Sequence, residues 1–167
     1  MEWLDIVDEQ DRVVGRDTRE NIHADGKMHR SAHILLFNTK GEIFLQLRSL
    51  HKDTNPGLWD TSAAGHVDSG ESYLECAVRE LHEELGVQVG TSAMEPVGQL
   101  TPSQRNGFEF TQIFRVCSDQ PLRLQKEEID DGQWLTAAAL NDRISTSSDE
   151  FTDVFLTIWS MTKHRSS

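Results

Sequence analysis

Apolar residues recur along this chain at two spacings, every second position and every third or fourth. The alternation between them outlines the elements. Leu4–Val7 and Val13–Arg16 flank Asp8-Glu-Gln-Asp11, which predicts a small hairpin at the start. Arg16 to Arg30 is polar, with Gly26 and two histidines, and reads as a loop or a short helix followed by a turn. Ala32–Asn38 and Glu42–Leu47 are strand-like runs joined by Thr39-Lys40-Gly41, the pattern of a hairpin turn. The first run is continuously apolar at its centre, as expected of a strand covered on both faces. Asn55-Pro56-Gly57 punctuates the chain before Leu58–Ala64, another predicted strand. Ser72-x-x-Glu75 is a capping-box signature, so a helix is expected from about Ser72 to Leu85, with Gly86 as its stop. Gly107–Val116 and Gln133–Leu135 have strand patterns. Asp149–Lys163 places Phe151, Val154, Phe155, Ile158 and Trp159 at helical spacing. Mixed strands with two or three helices predict an α/β sandwich, a sheet covered by helices on both sides.

Composition narrows the class. The 167 residues suffice for one domain with its own core, taken as spanning 1–167. The two cysteines, Cys76 and Cys117, are too few and too scattered for a disulfide framework or a thiolate metal site. No signal peptide or membrane-length apolar run is present, so a cytoplasmic location is expected. A net charge of −12 excludes general attraction to nucleic acid or to an anionic membrane. A small phosphate compound remains an acceptable partner if local cations reverse the field, which points to a divalent metal. The sequence does not specify an oligomeric state.

The chemistry concentrates between Gly65 and Val87. On a helical wheel with Leu74 at zero, Ala77, Val78, Leu81 and Leu85 fall within about 60° and predict the buried stripe. Glu83, Glu80 and Glu84 fall near about 180°, 240° and 280°, an arc expected to lie on the far side. Such close carboxylates repel, and a hard divalent cation with oxygen ligands removes that cost. Mg²⁺ suits them, with Mn²⁺ as the alternative. Gly65 allows its carbonyl to approach a metal, and Arg79 is placed to pair with Glu83 or Glu71. A solvated acidic face would explain scattered glutamates, but not the joint spacing of Gly65, Glu71, Arg79 and the three glutamates.

That spacing, G-x5-E-x7-R-E-U-x-E-E-x-G-U with U aliphatic, resembles the Nudix box at every defined position. The resemblance implies an α/β/α sandwich with a mixed sheet, the box forming loop-helix-loop. It also implies a metal-dependent pyrophosphohydrolase acting on a small organic diphosphate, such as a nucleoside diphosphate linked to a further group. Glu80, Glu83 and Glu84 are then the metal-binding and catalytic glutamates, with the Gly65 carbonyl as a further ligand. The general base varies within the family, and Glu80 and Glu109 are both candidates here.

A narrower resemblance covers about residues 3 to 143. His29-Arg30-Ser-Ala-His33, Leu45-Gln-Leu-Arg48, Lys52, Pro56-Gly57-Leu58-Trp59 and Gln133-Trp134 are similar to isopentenyl diphosphate isomerase and the hydrolases nearest to it. That isomerase carries a proton-transferring cysteine directly before the Gly-His that opens the box. Here the residue is Ala64, and the isomerase's second acidic residue on the later strand is replaced by Gly107, leaving Glu109. Both differences favour hydrolysis over isomerisation. His23, His29 and His66 resemble the isomerase's metal histidines in part. Each taken alone is expected to be a hydrogen-bonded structural residue. Arg48 and Lys52 are candidate phosphate contacts. A third reading, a non-catalytic Nudix module that binds a ligand, fits poorly with a complete box. Substrate selection is expected near Arg16–Arg30, Pro102–Phe108 and the C-terminal helix, with Arg105, Phe108 and Trp134 as candidate pocket residues.

Overall fold

The computed structural model describes residues 1–163; residues 164–167, the end of the expected domain, lie outside the described residues. Strands β1 (Trp3–Val7) and β2 (Val13–Thr18) form the expected hairpin as a separate two-stranded sheet. Helix α1 (Arg19–Asp25) follows, capped by the Thr18 hydroxyl and stopped by Gly26 in the left-handed region. Strands β3 (His29–Phe37), β4 (Ile43–Arg48), β5 (Trp59–Asp60) and β6 (Ala63–His66) lead to helix α2 (Tyr73–Leu85). Strands β7 (Glu95–Leu100), β8 (Glu109–Cys117) and β9 (Ile129–Leu135) precede helices α3 (Ala137–Ser147) and α4 (Asp153–Lys163).

The main sheet runs β5-β4-β3-β8-β7, with β6 also on β3 and β9 also on β4. Strand β3 pairs parallel with β8 along its whole length, from His29 beside Glu109 to Phe37 beside Cys117. The other pairings are antiparallel. The mixed sheet with helices on both faces is the architecture the pattern predicts.

The expected hairpin of β3 and β4 is paired only at Phe37–Ile43, after which the strands separate. Strand β6 takes the freed edge of β3, and β9 pairs along β4. The Ser62 hydroxyl bridges the gap: it accepts from Leu36 N–H at 2.7 Å and donates to the Phe44 carbonyl. The single strand expected over Leu58–Ala64 is therefore two short strands broken at Thr61-Ser62, one serving β4 and the other β3. Strand β8 begins at Glu109 rather than Gly107, because Gly107 and Phe108 both have positive φ. Strand β7 and helix α3 were not expected from the pattern.

Alternation along β3 divides the interior. Ala32, Ile34 and Leu36 pack with Ala77, Leu81 and Leu85 of α2. Leu35 packs on the opposite face with Ile43, Leu45, Ile113, Leu140, Phe155 and Ile158. Further towards the start of β3, that second face carries His33, Ser31 and His29 instead of apolar residues. Leu81 is fully buried at the centre of the first core. Truncating it in Leu81→Ala is expected to cost about 2–5 kcal/mol. In urea unfolding the midpoint should fall while the slope stays unchanged.

Candidate active site

Helix α2 is fixed at both ends, by the Ser72–Glu75 capping box and by Gly86 in the left-handed region. Its buried face differs from the expected stripe. Cys76, Ala77, Glu80, Leu81, Glu84 and Leu85 are buried, whereas Leu74 and Val78 are only half-buried. The face is thus rotated towards the glutamates. Glu84, about 80° from Leu74 on the wheel, was already at the edge of the stripe. Of the supposed solvent-side arc only Glu83 is exposed; Glu80 is 9 % and Glu84 6 % exposed.

Strand β6 receives both buried carboxylates. Glu80 lies against Gly65, where a Cβ would overlap its carboxyl group, so the glutamate keeps this position only beside glycine. Glu84 accepts from the Ala64 N–H at 3.1 Å and from Gln46 Nε2 at 2.9 Å, and the same Gln46 nitrogen donates to the Ser62 carbonyl. Arg79 ties the loop to the helix. It donates twice to Glu71, at 2.8 and 3.0 Å, and to Glu80 at 2.7 Å, Glu83 at 3.2 Å and the His66 carbonyl at 3.1 Å. Burial pushes Glu84 up to about 8, reinforced by the Glu80 charge. Burial likewise raises Glu80 to about 7, against the opposing Arg79 charge. Two buried carboxylates that resist ionisation, beside an exposed third, form a hard-oxygen donor set suited to a divalent cation.

Glu109 stands elsewhere, in a second group. Its Oε2 lies 3.2 Å from both His29 Nε2 and His66 Nε2. The rings of His23, His29 and His66 are mutually 5.1–5.2 Å apart. One ligand atom from each of His23, His29, His66 and Glu109 lies within 4.8 Å of every other. Three histidines expected to be separate structural residues therefore converge. His29 Nδ1 is 2.9 Å from the Lys27 carbonyl, which can only accept. In a neutral ring Nε2 then turns a lone pair towards the Glu109 carboxylate, and a proton or a cation must lie between them. Burial works to raise the Glu109 carboxyl, but the contacts with His29 and His66 overcome it and hold it well below the usual carboxylate range.

The two candidate phosphate cations are already engaged. Arg48 donates to the Thr54 carbonyl at 2.9 Å and to Asp60 at 3.4 Å, and Lys52 pairs with Glu128. Sequence reasoning missed three residues that shape the site. Gln46 is a polar residue at a buried position of the apolar run Ile43–Leu47, a readable anomaly. Glu128 adds its charge to the field that raises Glu84. Arg19 acts on His23 from α1 and pairs with Asp53 at 3.4 Å. Trp134, a candidate pocket residue, meets Phe44 edge-on against the first core and also borders a surface cavity beside Lys40 and Leu122. Phe108 is exposed beside Gly26.

Residues 27–155 match the NUDIX domain family, so the chain belongs to the Nudix family. Its class is that of the Nudix pyrophosphohydrolases, enzymes that generally use divalent metal ions. The chain is 38 % identical over 152 residues to a Nudix hydrolase of Yersinia pestis, covering 91 % of this chain and 80 % of the relative. It is 34 % identical over 162 residues to an isopentenyl-diphosphate Delta-isomerase of Streptomyces avermitilis, covering 93 % and 80 %. The crystal structure of DR0079 from Deinococcus radiodurans superposes with a TM-score of 0.78 at 30 % identity, covering 96 % and 99 %. The NUDIX domain of Shewanella oneidensis NrtR, solved with ADP ribose, shares the fold at a TM-score of 0.66 and 19 % identity, covering 82 % and 87 %. Among the described residues no helix is long and apolar enough to cross a membrane.

Two outcomes follow from this geometry. Gly65→Ala is expected to displace the Glu80 carboxyl, lowering Mg²⁺ affinity measured by calorimetry by roughly tenfold or more. The second concerns pH. The raised Glu80 and Glu84 contribute stability that is complete below the ordinary carboxylate range and is lost as pH rises through about 7 and 8. His23 and His33, pushed down by burial, have the opposite sign, but their contribution is complete above their ordinary value of 6.5. In EDTA the melting temperature should therefore fall between about pH 6.5 and 8.5, and saturating Mg²⁺ should flatten that slope.

Proposed function

We propose that this protein is a Mg²⁺-dependent hydrolase of the phosphoanhydride bond in a small organic diphosphate, with a nucleoside diphosphate derivative as substrate and Mn²⁺ as an alternative ion. The observation that carries this reading is the burial of Glu80 against Gly65 and of Glu84 against the Ala64 N–H, with exposed Glu83 tied to Glu80 through Arg79. A solvated acidic face would not bury two of its three carboxylates. The Gly65 carbonyl and the three glutamates are the residues that would hold the cation. His23, His29, His66 and Glu109 would hold a second one, and their imidazoles suit a softer ion such as Mn²⁺.

When bound, such a cation neutralises charge on the diphosphate oxygens and acidifies nearby water. The chain's own residues do the rest. Arg79 and Glu71 hold the box carboxylates in place. Glu80, shifted by burial towards the working pH, accepts the proton of the attacking water. An oxygen–phosphorus bond forms as the bridging oxygen–phosphorus bond breaks, and the leaving phosphate keeps that electron pair. Glu109, paired with two histidines, serves as a ligand rather than as this base. Arg48 and Lys52 would meet the substrate phosphates by sharing their present partners, Asp60 and Glu128. The protein is read as one catalytic domain of residues 1–167, and its two free thiols fit a cytoplasmic setting.

The relative that is an isomerase, together with the histidine cluster, gives the isomerase reading some support. Against it stands Ala64, whose methyl group neither gives nor takes a proton. Incubation with Mg²⁺ and a panel of nucleoside diphosphate derivatives, nucleoside triphosphates and isoprenoid diphosphates should show the nucleotides cleaved at a phosphoanhydride bond into two phosphorylated products, one of them a nucleoside phosphate. Isopentenyl diphosphate should take up no deuterium from heavy water; uptake would reverse the assignment. Glu83→Gln is expected to lose activity by on the order of a hundredfold or more while its circular dichroism and melting temperature stay unchanged. Full activity in that variant would end the hydrolase reading.

A further inference from the structure

His33 belongs to neither group of candidate ligands. It sits on the same face of β3 as Ser31 and His29, directly opposite Ala64 of β6. Ser31 is the next pair along and lies opposite His66. The imidazole is only 8 % exposed. Its Nδ1 is held 2.7 Å from the Thr61 hydroxyl. Thr61 is fixed in turn by its N–H to Asp60 at 2.8 Å, and Asp60 is anchored by Arg48 at 3.4 Å and the Thr152 hydroxyl at 3.1 Å.

The other ring nitrogen has no such role. His33 Nε2 makes no hydrogen bond among the described residues, although no fully buried side-chain nitrogen or oxygen atom is left unpartnered. Nε2 therefore keeps an opening to the surface from a ring that is otherwise enclosed. The surrounding polar groups are spoken for: Ser31 and Thr111 bond each other at 2.7 Å. Beside His33 on the same face stands Ala64, whose side chain is a single methyl group. Strand rise places His33 roughly 7 Å from the Ser31–His66 row, so a group held at the histidine cluster would reach it through its next attached unit.

We propose that His33 Nε2 is a specificity contact that hydrogen-bonds a hydroxyl of the sugar next to the diphosphate, selecting nucleoside diphosphates over isoprenoid diphosphates. The inference rests on the hydrolase reading for its diphosphate and goes beyond it in naming the organic group. A hydrocarbon laid on this strip would cover an open, rigidly held nitrogen and offer it nothing. Sites built around a substrate hydroxyl reject analogues that lack it far more strongly than apolar pockets reject an added one. His33 is a binding residue here, remote from the reacting phosphorus.

The test compares ADP, 2′,3′-dideoxy-ADP and geranyl diphosphate with Mg²⁺, using wild-type protein, His33→Leu and His33→Gln. Wild type should prefer ADP to the dideoxy analogue by roughly ten- to a hundredfold in kcat/KM, mostly through KM. His33→Leu should erase that preference, and His33→Gln should restore part of it. Equal losses on both nucleotides would mark His33 as merely structural and overturn the proposal. So would a wild type that does not discriminate, a comparison that needs no variant to fold. If wild type hydrolyses neither nucleotide, these two compounds are not its substrates, and the hydrolase reading is decided by the wider panel. The proposal is then decided by calorimetric binding of the same two nucleotides: a preference for ADP that His33→Leu removes sustains it, and equal affinities overturn it.

Discussion

Burying two carboxylates beside one strand is the constraint around which this protein is arranged. An isolated ionised carboxylate taken out of water is costly, so each requires specific compensation. Glu84 has the Ala64 N–H and the Gln46 amide; Glu80 has Arg79 and the bare Cα of Gly65. These needs fix the rotation of α2 about its axis, and the Ser72–Glu75 cap fixes its start. Arg79 then carries the orientation outward to Glu71 and Glu83. Removing Gln46 or Arg79 leaves a buried carboxyl group without one of its hydrogen-bond partners.

The divided sheet makes room for this arrangement. Strands β3 and β4 part after a single pairing, and the segment Thr61–His66 enters between them, with the Ser62 hydroxyl replacing the lost backbone bonds. Alternation along β6 then serves two centres with four residues. Ala63 and Gly65 face α2 and its glutamates, whereas Ala64 and His66 face the histidine cluster and His33. Adjacent residues of a strand point to opposite sides, so the two candidate cation sites share one stretch of backbone.

The box and its helix were legible because all their fixed positions lie within 23 consecutive residues, where spacing translates directly into geometry. The rotation of the helix was not legible, since a wheel centred on Leu74 weighs apolarity alone and Glu80 and Glu84 are buried for chemical reasons. The histidine cluster was illegible for a different reason. Its members come from α1, β3, β6 and β8, and each one, read singly, is an ordinary polar residue. Pro96 and Gly98 concealed β7, where they accompany an irregular register. Helix α3 fully buries only Leu140, with Ile144 half-buried against the same core, too weak a stripe to announce itself. Gln46, by contrast, stood in plain view as an amide within an apolar strand.

The pairing of His29 with Glu109 joins residues 80 positions apart, across the parallel pairing of β3 with β8. Parallel neighbours cannot be linked by a tight turn, and closing so long a loop carries an entropic cost before any contact rewards it. Strand β8 must therefore dock on β3 before the cluster exists, after β6 and α2 have had every opportunity to form locally. The glutamate helix is built mainly on short-range contacts, whereas the histidine cluster needs a long-range one. A nascent chain that has not yet made β8 holds most of the box helix's surroundings and only three of the four groups of its second centre.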